Sequence, residues 1–300
     1  KIIHKISVYN LIFFYWNNGL FLFASEIKSF YEHPAFIKGL DNQSVVLYFN
    51  YGYIPAPHCI FKNCYKLLPG HFLKFQLSAK SFLCEEYWNV DNYYRANISL
   101  ISYPEAIEQV KNLVKSACEY RMISDVPIGI FLSGGYDSSL VAAILQSNSI
   151  KKIKTFTIGF EEGNNEAPFA RQVAEFLGTE HTEHICTYKE AQNIIPLLPQ
   201  IYDEPFADSS AIPTILVSRL AKNEVSVALS ADGGDEVFAG YDRYKSLGKK
   251  IKALNEIPVF FHNPIKKILK FCNAIIPATL PEYKHRFRGV YNALNKNSIQ

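Results

Sequence analysis

The run Ile128-Gly129-Ile130-Phe131-Leu132-Ser133-Gly134-Gly135-Tyr136-Asp137-Ser138-Ser139-Leu140-Val141-Ala142-Ala143-Ile144-Leu145 constrains the fold of this chain more than any other. It reads as a short apolar strand, a Ser-Gly-Gly turn and an amphipathic helix. Such a turn gathers backbone N–H groups and small hydroxyls around one concave point at the positive end of a helix, where a phosphate is favoured. The glycines admit the anion with no Cβ in its way. Asp137 alone would repel phosphates; it makes sense as the holder of a magnesium ion that bridges to phosphate oxygens. A plain β-α turn rich in small residues is the bland alternative, and the number of matching positions in one context argues against it.

From Val126 onward the pattern alternates. Strand Gly129–Leu132 precedes the helix beginning near Asp137, and strand Ile153–Phe160 precedes a helix over Ala167–Leu177. His184–Thr187 is a short strand candidate. A helix near Ile212–Ala221 leads to strand Val225–Leu229, and another helix starts near Glu236. This alternation implies right-handed crossovers and a parallel sheet covered by helices, the α/β class. In such a sheet ligands bind beyond the carboxyl ends of the strands.

The N-terminal part reads differently. Leu11–Trp16 and Leu20–Phe23 flank Asn17-Asn18-Gly19, the signature of a β-hairpin. A helical reading near Gln43 to Phe49, a turn entering a strand at Leu67–Phe75, and Tyr87-Trp88 complete a β-rich segment of about ninety residues. Residues 89–103 are polar and Tyr-rich, a linker. Tyr103-Pro104-Glu105 then opens a helix whose apolar face comprises Ala106, Ile107, Val110, Leu113, Val114 and Ala117. The last fifty residues are helical in tendency and basic, broken by prolines.

Three hundred residues allow about two domains. The composition, 48% hydrophobic and 20% charged, is that of a soluble globular protein, and no apolar run is long enough to span a membrane. A net charge of +3 gives no case for nucleic-acid binding. The six cysteines contain no C-x-x-C pair, which argues against zinc or thioredoxin-type sites. Cys59 and Cys64 could ligate a metal, but ordinary buried thiols are the more frequent case. With no disulfide framework indicated, a reducing, cytoplasmic setting is expected.

Three further segments carry chemistry. Ile158, on strand 153–160, could lend backbone groups to an adenine edge beside the Glu162-Gly163-Asn164 turn; on this segment alone an ordinary core strand is the better reading. Ser230-Ala231-Asp232-Gly233-Gly234-Asp235-Glu236 follows a strand and opens a helix, repeating the small-residue, glycine and carboxylate logic of the first loop. Asp235 can supply a second metal carboxylate facing Asp137, and Asp232 can act as a general base on an incoming amine. Simple helix capping would suffice for an isolated copy of this turn; two copies on parallel strands point to a shared site. Asp208 and Ser209, in Tyr202–Ser210, either cap the next helix or contact an acceptor substrate. A phosphate cradle, two metal carboxylates and a candidate base suggest adenylation. A carboxylate attacks the α-phosphate of ATP, and magnesium offsets the charge on departing pyrophosphate.

Leu132–Ser139 resembles the pyrophosphate loop of glutamine-dependent asparagine synthetases (the asparagine synthetase B type). Asp203-Glu204-Pro205-Phe206-Ala207-Asp208 with Ser210-Ala211-Ile212-Pro213-Thr214, and Leu229–Tyr241, resemble two further blocks of that family. Ala24–Lys28, Tyr51–Pro55 and Leu68–His71 resemble the end of its glutaminase domain. The resemblance implies a parallel-sheet adenine-nucleotide alpha-hydrolase-like fold, that is, a PP-loop ATP pyrophosphatase, over residues 103–300 and C-terminally incomplete. Preceding it, residues 1–90 would be a partial type 2 glutamine amidotransferase domain, the C-terminal part of an Ntn-type αββα glutaminase.

The same resemblance implies that Leu132, Ser133, Gly134, Gly135, Asp137, Ser138, Ser139, Ile158, Ser230 and Ala231 bind ATP and pyrophosphate, and that Asp137 and Asp235 hold Mg2+. Asp232 is matched to an acid important for the β-aspartyl-AMP step. The implied reaction converts aspartate, with nitrogen from glutamine or ammonia, to asparagine, AMP and pyrophosphate. A second copy of the chain is an expected partner; nucleic acid and membrane are not. Two departures, Tyr136 for an aliphatic residue and Ala231 for glycine, put the acceptor in question, and relatives that amidate a sugar uronic acid share the domain plan. The family's glutaminase uses an N-terminal Cys, whereas this chain begins at Lys1 and its first cysteine is Cys59. A fragment without glutaminase activity is therefore expected, and an inactive ATP-binding fragment is the further alternative.

Overall fold

The computed structural model describes residues 12–96, 100–161, 163, 165–256, and 264, 265, 267, 268 and 270. These fall into two compact units, residues 1–230 and 231–300.

The first unit begins with the expected hairpin, β1 (Phe13–Asn17) and β2 (Leu20–Ala24), paired antiparallel. Asn18 and Gly19 both take positive φ, 48° and 80°, the combination a two-residue turn needs to match strand twist. Leu11, where the sequence pattern starts the hairpin, lies outside the described residues. A 3-10 turn, Ile27–Glu32, follows. Helix α1 (Asn42–Tyr51) is capped by Asp41, whose side chain accepts from the Gln43 and Ser44 amides at 2.8 and 3.2 Å. Strand β3 (Cys64–Lys66) adds to β1, giving the order β2-β1-β3. Period-two alternation splits this sheet. Phe13 and Tyr15 pack with Ile27, Phe30, Ile54, Cys59, Ile60 and Cys64. Phe14, Trp16 and Phe21 turn their rings to Phe75 and Phe82, which belong to a second hairpin, β4 (His71–Gln76) and β5 (Ser81–Glu86).

The polar stretch expected as a linker holds one short helix, α2 (Asp91–Tyr94). Helix α3 (Tyr103–Arg121) starts at a capping box between Ser102 and Glu105. Its inward line differs from the expected apolar face. Val114, Cys118 and Met122, four apart, meet the core, while Ile107 and Leu113 are 50% and 69% exposed. Spacing by four aligns that row with the neighbouring helix, and Ile107 and Leu113 fall off it.

The remaining elements alternate: β6 (Ile128–Phe131), α4 (Tyr136–Ser147), β7 (Lys154–Phe160), α5 (Ala167–Leu177), β8 (Glu180–Cys186), α6 (Tyr188–Ile194), α7 (Leu198–Ile201), α8 (Ala211–Lys222) and β9 (Val227–Leu229). The four strands form one parallel sheet, order β8-β7-β6-β9. Ile130 and Leu132 face a cluster with Ala142, Leu145, Ala170 and Ala174, contributed by α4 and α5. Phe131 and Phe156 face Val217, Leu220 and Ala221 of α8 on the other side. Both faces are thus covered, as the α/β reading requires.

Strand β8 begins four residues earlier than the sequence candidate. Its first half, Glu180-His181-Thr182-Glu183, is polar because β8 is an edge strand whose pairing with β7, not its hydrophobicity, sets its length. Strand β9 starts later than expected because the Val225 amide still bonds Ala221 O at 2.8 Å, ending the α8 turn.

The second unit contains α9 (Gly234–Phe238) and α10 (Asp242–Asn255). Gly233, at φ 98°, caps α9, and Ala239, at φ 55°, ends it. The expected basic helices beyond Glu256 lie almost wholly outside the described residues. Among the described residues no helix is long and apolar enough to cross a membrane.

Candidate active site

Strand β6 ends at Phe131, and the next residue, Leu132, is 1% exposed, its amide still bonding Phe156 O at 2.9 Å. The Thr157 hydroxyl donates to the Leu132 carbonyl, so the strand end is fixed from β7. The chain then turns through Ser133, Gly134 and Gly135 into α4. Gly134 has φ 81°, and a Cβ there would lie 2.6 Å from the Ala170 amide nitrogen and 2.8 Å from the Phe169 carbonyl carbon. Glycine is required on both counts.

Ser138 closes this loop. Its Oγ accepts from the Ser133 amide at 3.1 Å, lies 2.9 Å from Ser133 Oγ, and is 3.3 Å from the Gly135 carbonyl. Ser133 Oγ in turn accepts from the Gly135 amide at 3.2 Å. Gly135 is the N-cap of α4 and offers no side-chain hydrogen bond to its first turn. The buried Ser139 Oγ has no hydrogen-bond partner. Asp137 stands in the first turn of α4. A cleft of about 250 Å³ opens here, lined by Ser133, Gly134, Gly135, Asn165, Glu166 and Phe169. These features fit an anionic phosphate chain: the start of a twelve-residue helix with no side-chain cap, small side chains and the unpartnered Ser139 hydroxyl.

Asn165, Glu166 and Phe169 escaped sequence reasoning. The signal was the Gly163 turn, which marked the wall; the lining residues lie just past it. Glu162 and Asn164, named with that turn, are outside the described residues. Ile158 sits half-buried on β7, paired with His184.

Asp208 and Ser209 are exposed. Asp208 Oδ1 accepts from the Ser210 amide at 2.7 Å, and its carbonyl from Ala211 at 3.2 Å. The Ser210 hydrogen bonds hold its carboxyl below the ordinary range. Asp208 therefore does act at the entry to α8. Cys59 and Cys64 are buried thiols. The Cys64 hydrogen bond, with burial, pushes the Cys59 thiol up, which makes it a poor metal ligand. Among the described residues no group of three or more His, Cys, Asp or Glu forms a metal cluster.

The first unit brings together Leu132, Ser133, Gly134, Gly135, Asp137, Ser138 and Ser139. Ser230 closes that unit just after β9. Ala231, Asp232 and Asp235 belong to the second, where Asp235 packs its carboxylate against Gly240 and Tyr241 donates to Glu236 at 2.8 Å.

A four-stranded parallel sheet with helices on both faces, carrying a Ser-Gly-Gly loop at a strand end, defines a PP-loop ATP-pyrophosphatase type of domain. The chain belongs to the asparagine synthase family, whose model matches residues 109–297, and a glutamine amidotransferase domain model matches residues 6–88. It is 36% identical over 265 residues to a Methanocaldococcus jannaschii protein that carries the name asparagine synthetase, glutamine-hydrolysing, provisionally; the match covers 86% of this chain and 50% of that one. It is 31% identical over 263 residues to asparagine synthetase 1 of Bacillus subtilis, covering 87% of this chain and 39% of that one. The chain thus spans half or less of the length of these relatives. An NH3-dependent NAD synthetase from Campylobacter jejuni aligns over 67% of the chain at 12% identity with a TM-score of 0.29, too loose to carry an argument.

Proposed function

We propose that this chain is the ligase part of an ATP-dependent amide-forming enzyme of the asparagine synthetase type, with residues 103–300 as its ATP-pyrophosphatase domain and residues 1–90 as part of its glutamine amidotransferase domain. Family membership implies ATP use. The observation that carries the reading is the Ser133–Ser139 loop, closed on itself by Ser138 and open to a cleft at the start of α4, which has no side-chain cap.

In this reading the loop holds the β- and γ-phosphates, with Leu132, Ile158, Ser230 and Ala231 against the nucleoside. The aspartate β-carboxylate, received near Asp208 and Ser209, attacks the α-phosphorus. An acyl O–P bond forms, the bond to the β-phosphate oxygen breaks, and pyrophosphate leaves. The positive end of α4 and the Ser139 hydroxyl would stabilise the charge on the leaving group. Asp137 and Asp235 are hard oxygen donors suited to Mg2+, which would neutralise charge on the leaving pyrophosphate. Ammonia, free or released from glutamine, then attacks the acyl carbon and displaces AMP. Asp232 takes the proton from the incoming nitrogen. A cytoplasmic setting and a homodimer belong to the same reading.

ATP–pyrophosphate exchange tests it. Exchange should require aspartate and be abolished in Asp137→Ala and Asp235→Ala. Asp232→Asn should keep exchange while losing amide formation. Exchange supported only by a uronic acid would redirect the reading to sugar amidation, and exchange with no carboxylic acid would overturn it.

A further inference from the structure

The Asp203-Glu204 pair lies directly before the proposed acceptor loop, yet its hydrogen bonds lead to the N-terminal segment. Asp203 accepts from the Ile27 amide at 2.6 Å and the Lys28 amide at 3.4 Å, the first residues of the 3-10 turn. Lys28 Nζ lies 3.4 Å from the same carboxylate and donates to the Gln200 and Ile201 carbonyls at 3.2 and 3.3 Å. Glu204 accepts from the Ile60 amide at 2.7 Å and pairs with Lys66. Lys66 also donates to the Ile54 carbonyl at 2.5 Å. The Ala207 amide bonds the Gly52 carbonyl at 2.8 Å.

Both carboxylates are largely buried, with side-chain exposures of 10% and 11%, and Lys66 is buried at 7%. Withdrawing such charges from water carries a desolvation penalty, and apolar side chains of the same size would hold the segments together with less penalty. An ion pair with fixed amide donors can add register, because sliding either segment would leave a charged group without its partners. Downstream, Pro205, Phe206, Ala207, Asp208 and Ser209 are exposed. The place of Asp208 and Ser209 is therefore inherited from α8 on one side and from residues 27–66 on the other.

We infer that Asp203 and Glu204 are positioning residues. Through Lys66 and the amides of residues 27, 28 and 60 they hold the Asp208–Ser210 loop in the register that receives the acceptor carboxylate, so that segment 27–66 sets acceptor affinity. The inference rests on the functional reading above, in which Asp208 and Ser209 meet the acceptor.

The experiment compares the parent chain with Asp203→Asn, Glu204→Gln and the double variant Lys66→Met, Glu204→Leu. The double variant replaces the ion pair by apolar groups and is expected to keep the parent's stability. In ATP–pyrophosphate exchange, each folded variant should raise the KM for aspartate about tenfold and leave the KM for ATP within about twofold. Amide hydrogen exchange read by mass spectrometry should quicken at Ala207 and Ser210 and stay unchanged at Ser133–Ser139. A purely structural role would lower stability and shift both KM values together; that result, or a parental aspartate KM in the stable double variant, overturns the inference. If the parent exchanges with no carboxylic acid, the ligase reading has failed, and the hydrogen-exchange arm alone decides whether the tether exists.

Discussion

Ser138 illustrates how much of the loop rests on one small side chain. Its hydroxyl joins the Ser133 amide, the Ser133 hydroxyl and the Gly135 carbonyl, and it is 7% exposed. Ser138→Ala strands the Ser133 amide and should cost about 1–3 kcal/mol, visible as a lower urea midpoint with an unchanged slope. Gly134→Ala meets both a positive φ and the Phe169–Ala170 backbone. It should remove nucleotide binding, measured by equilibrium dialysis with ATP, before it unfolds the chain.

His181 gives a residue-scale pH dependence. Its Nδ1 lies 2.9 Å from Thr155 Oγ1, and its Nε2 is buried without a hydrogen-bond partner. Burial lowers its pKa below the ordinary 6.5, against the pull of Glu183 and Glu175 and with the push of Arg171. The unfolded chain therefore binds this proton first. Stability from this site is present above pH 6.5 and is lost as pH falls from there through the folded-state value. Urea midpoints recorded from about pH 8 down to about pH 5 should fall less steeply in His181→Gln than in the parent.

At the scale of elements, β7 is the central support. Phe156 is fully buried, and its ring touches the face covered by α8. Phe156→Ala should cost about 3–5 kcal/mol, a loss that thermal unfolding will register. Helix α3 depends on its start: Ser102→Ala removes the bond that the Ser102 hydroxyl donates to the Glu105 carboxylate at 2.8 Å, leaves the one from the Ser102 amide, and should cost about 1 kcal/mol. The elements that could be read from sequence were those with local punctuation. Gly134-Gly135 marked the β6–α4 junction and Asn18-Gly19 the first hairpin. The first half of β8 was not readable, because Glu180 to Glu183 alternate polar with polar and only β7 makes them a strand. The inward line of α3 was misread for a related reason: Ile107 and Leu113 are apolar by type but exposed by placement.

For the molecule as a whole, the Ser133–Ser139 loop at the β6–α4 junction could be recognised from one continuous run of residues. The Asp203-Glu204 contacts could not. Their partners, Ile27 and Ile60, stand 176 and 144 positions away, and no spacing in a sequence encodes a carboxylate on a distant amide. Ligand linkage offers a test at this scale. If the chain binds Mg-ATP, nucleotide at a hundred times its Kd should raise the unfolding free energy by about 2.7 kcal/mol. Asp235→Ala should erase most of that gain and leave the melting temperature without ligand near the parent's, as differential scanning fluorimetry would show.

The borders of the parallel sheet also bear on how the protein behaves at high concentration. One border, β8, carries Glu180, His181, Glu183 and His184 along its length; the other, β9, is three residues long. A charged border and a stunted one are both poor templates for a strand from another molecule. Fibril growth by edge-to-edge recruitment should thus be suppressed at this sheet, and charge-removing changes along β8, such as Glu180→Val with Glu183→Val, would open that route.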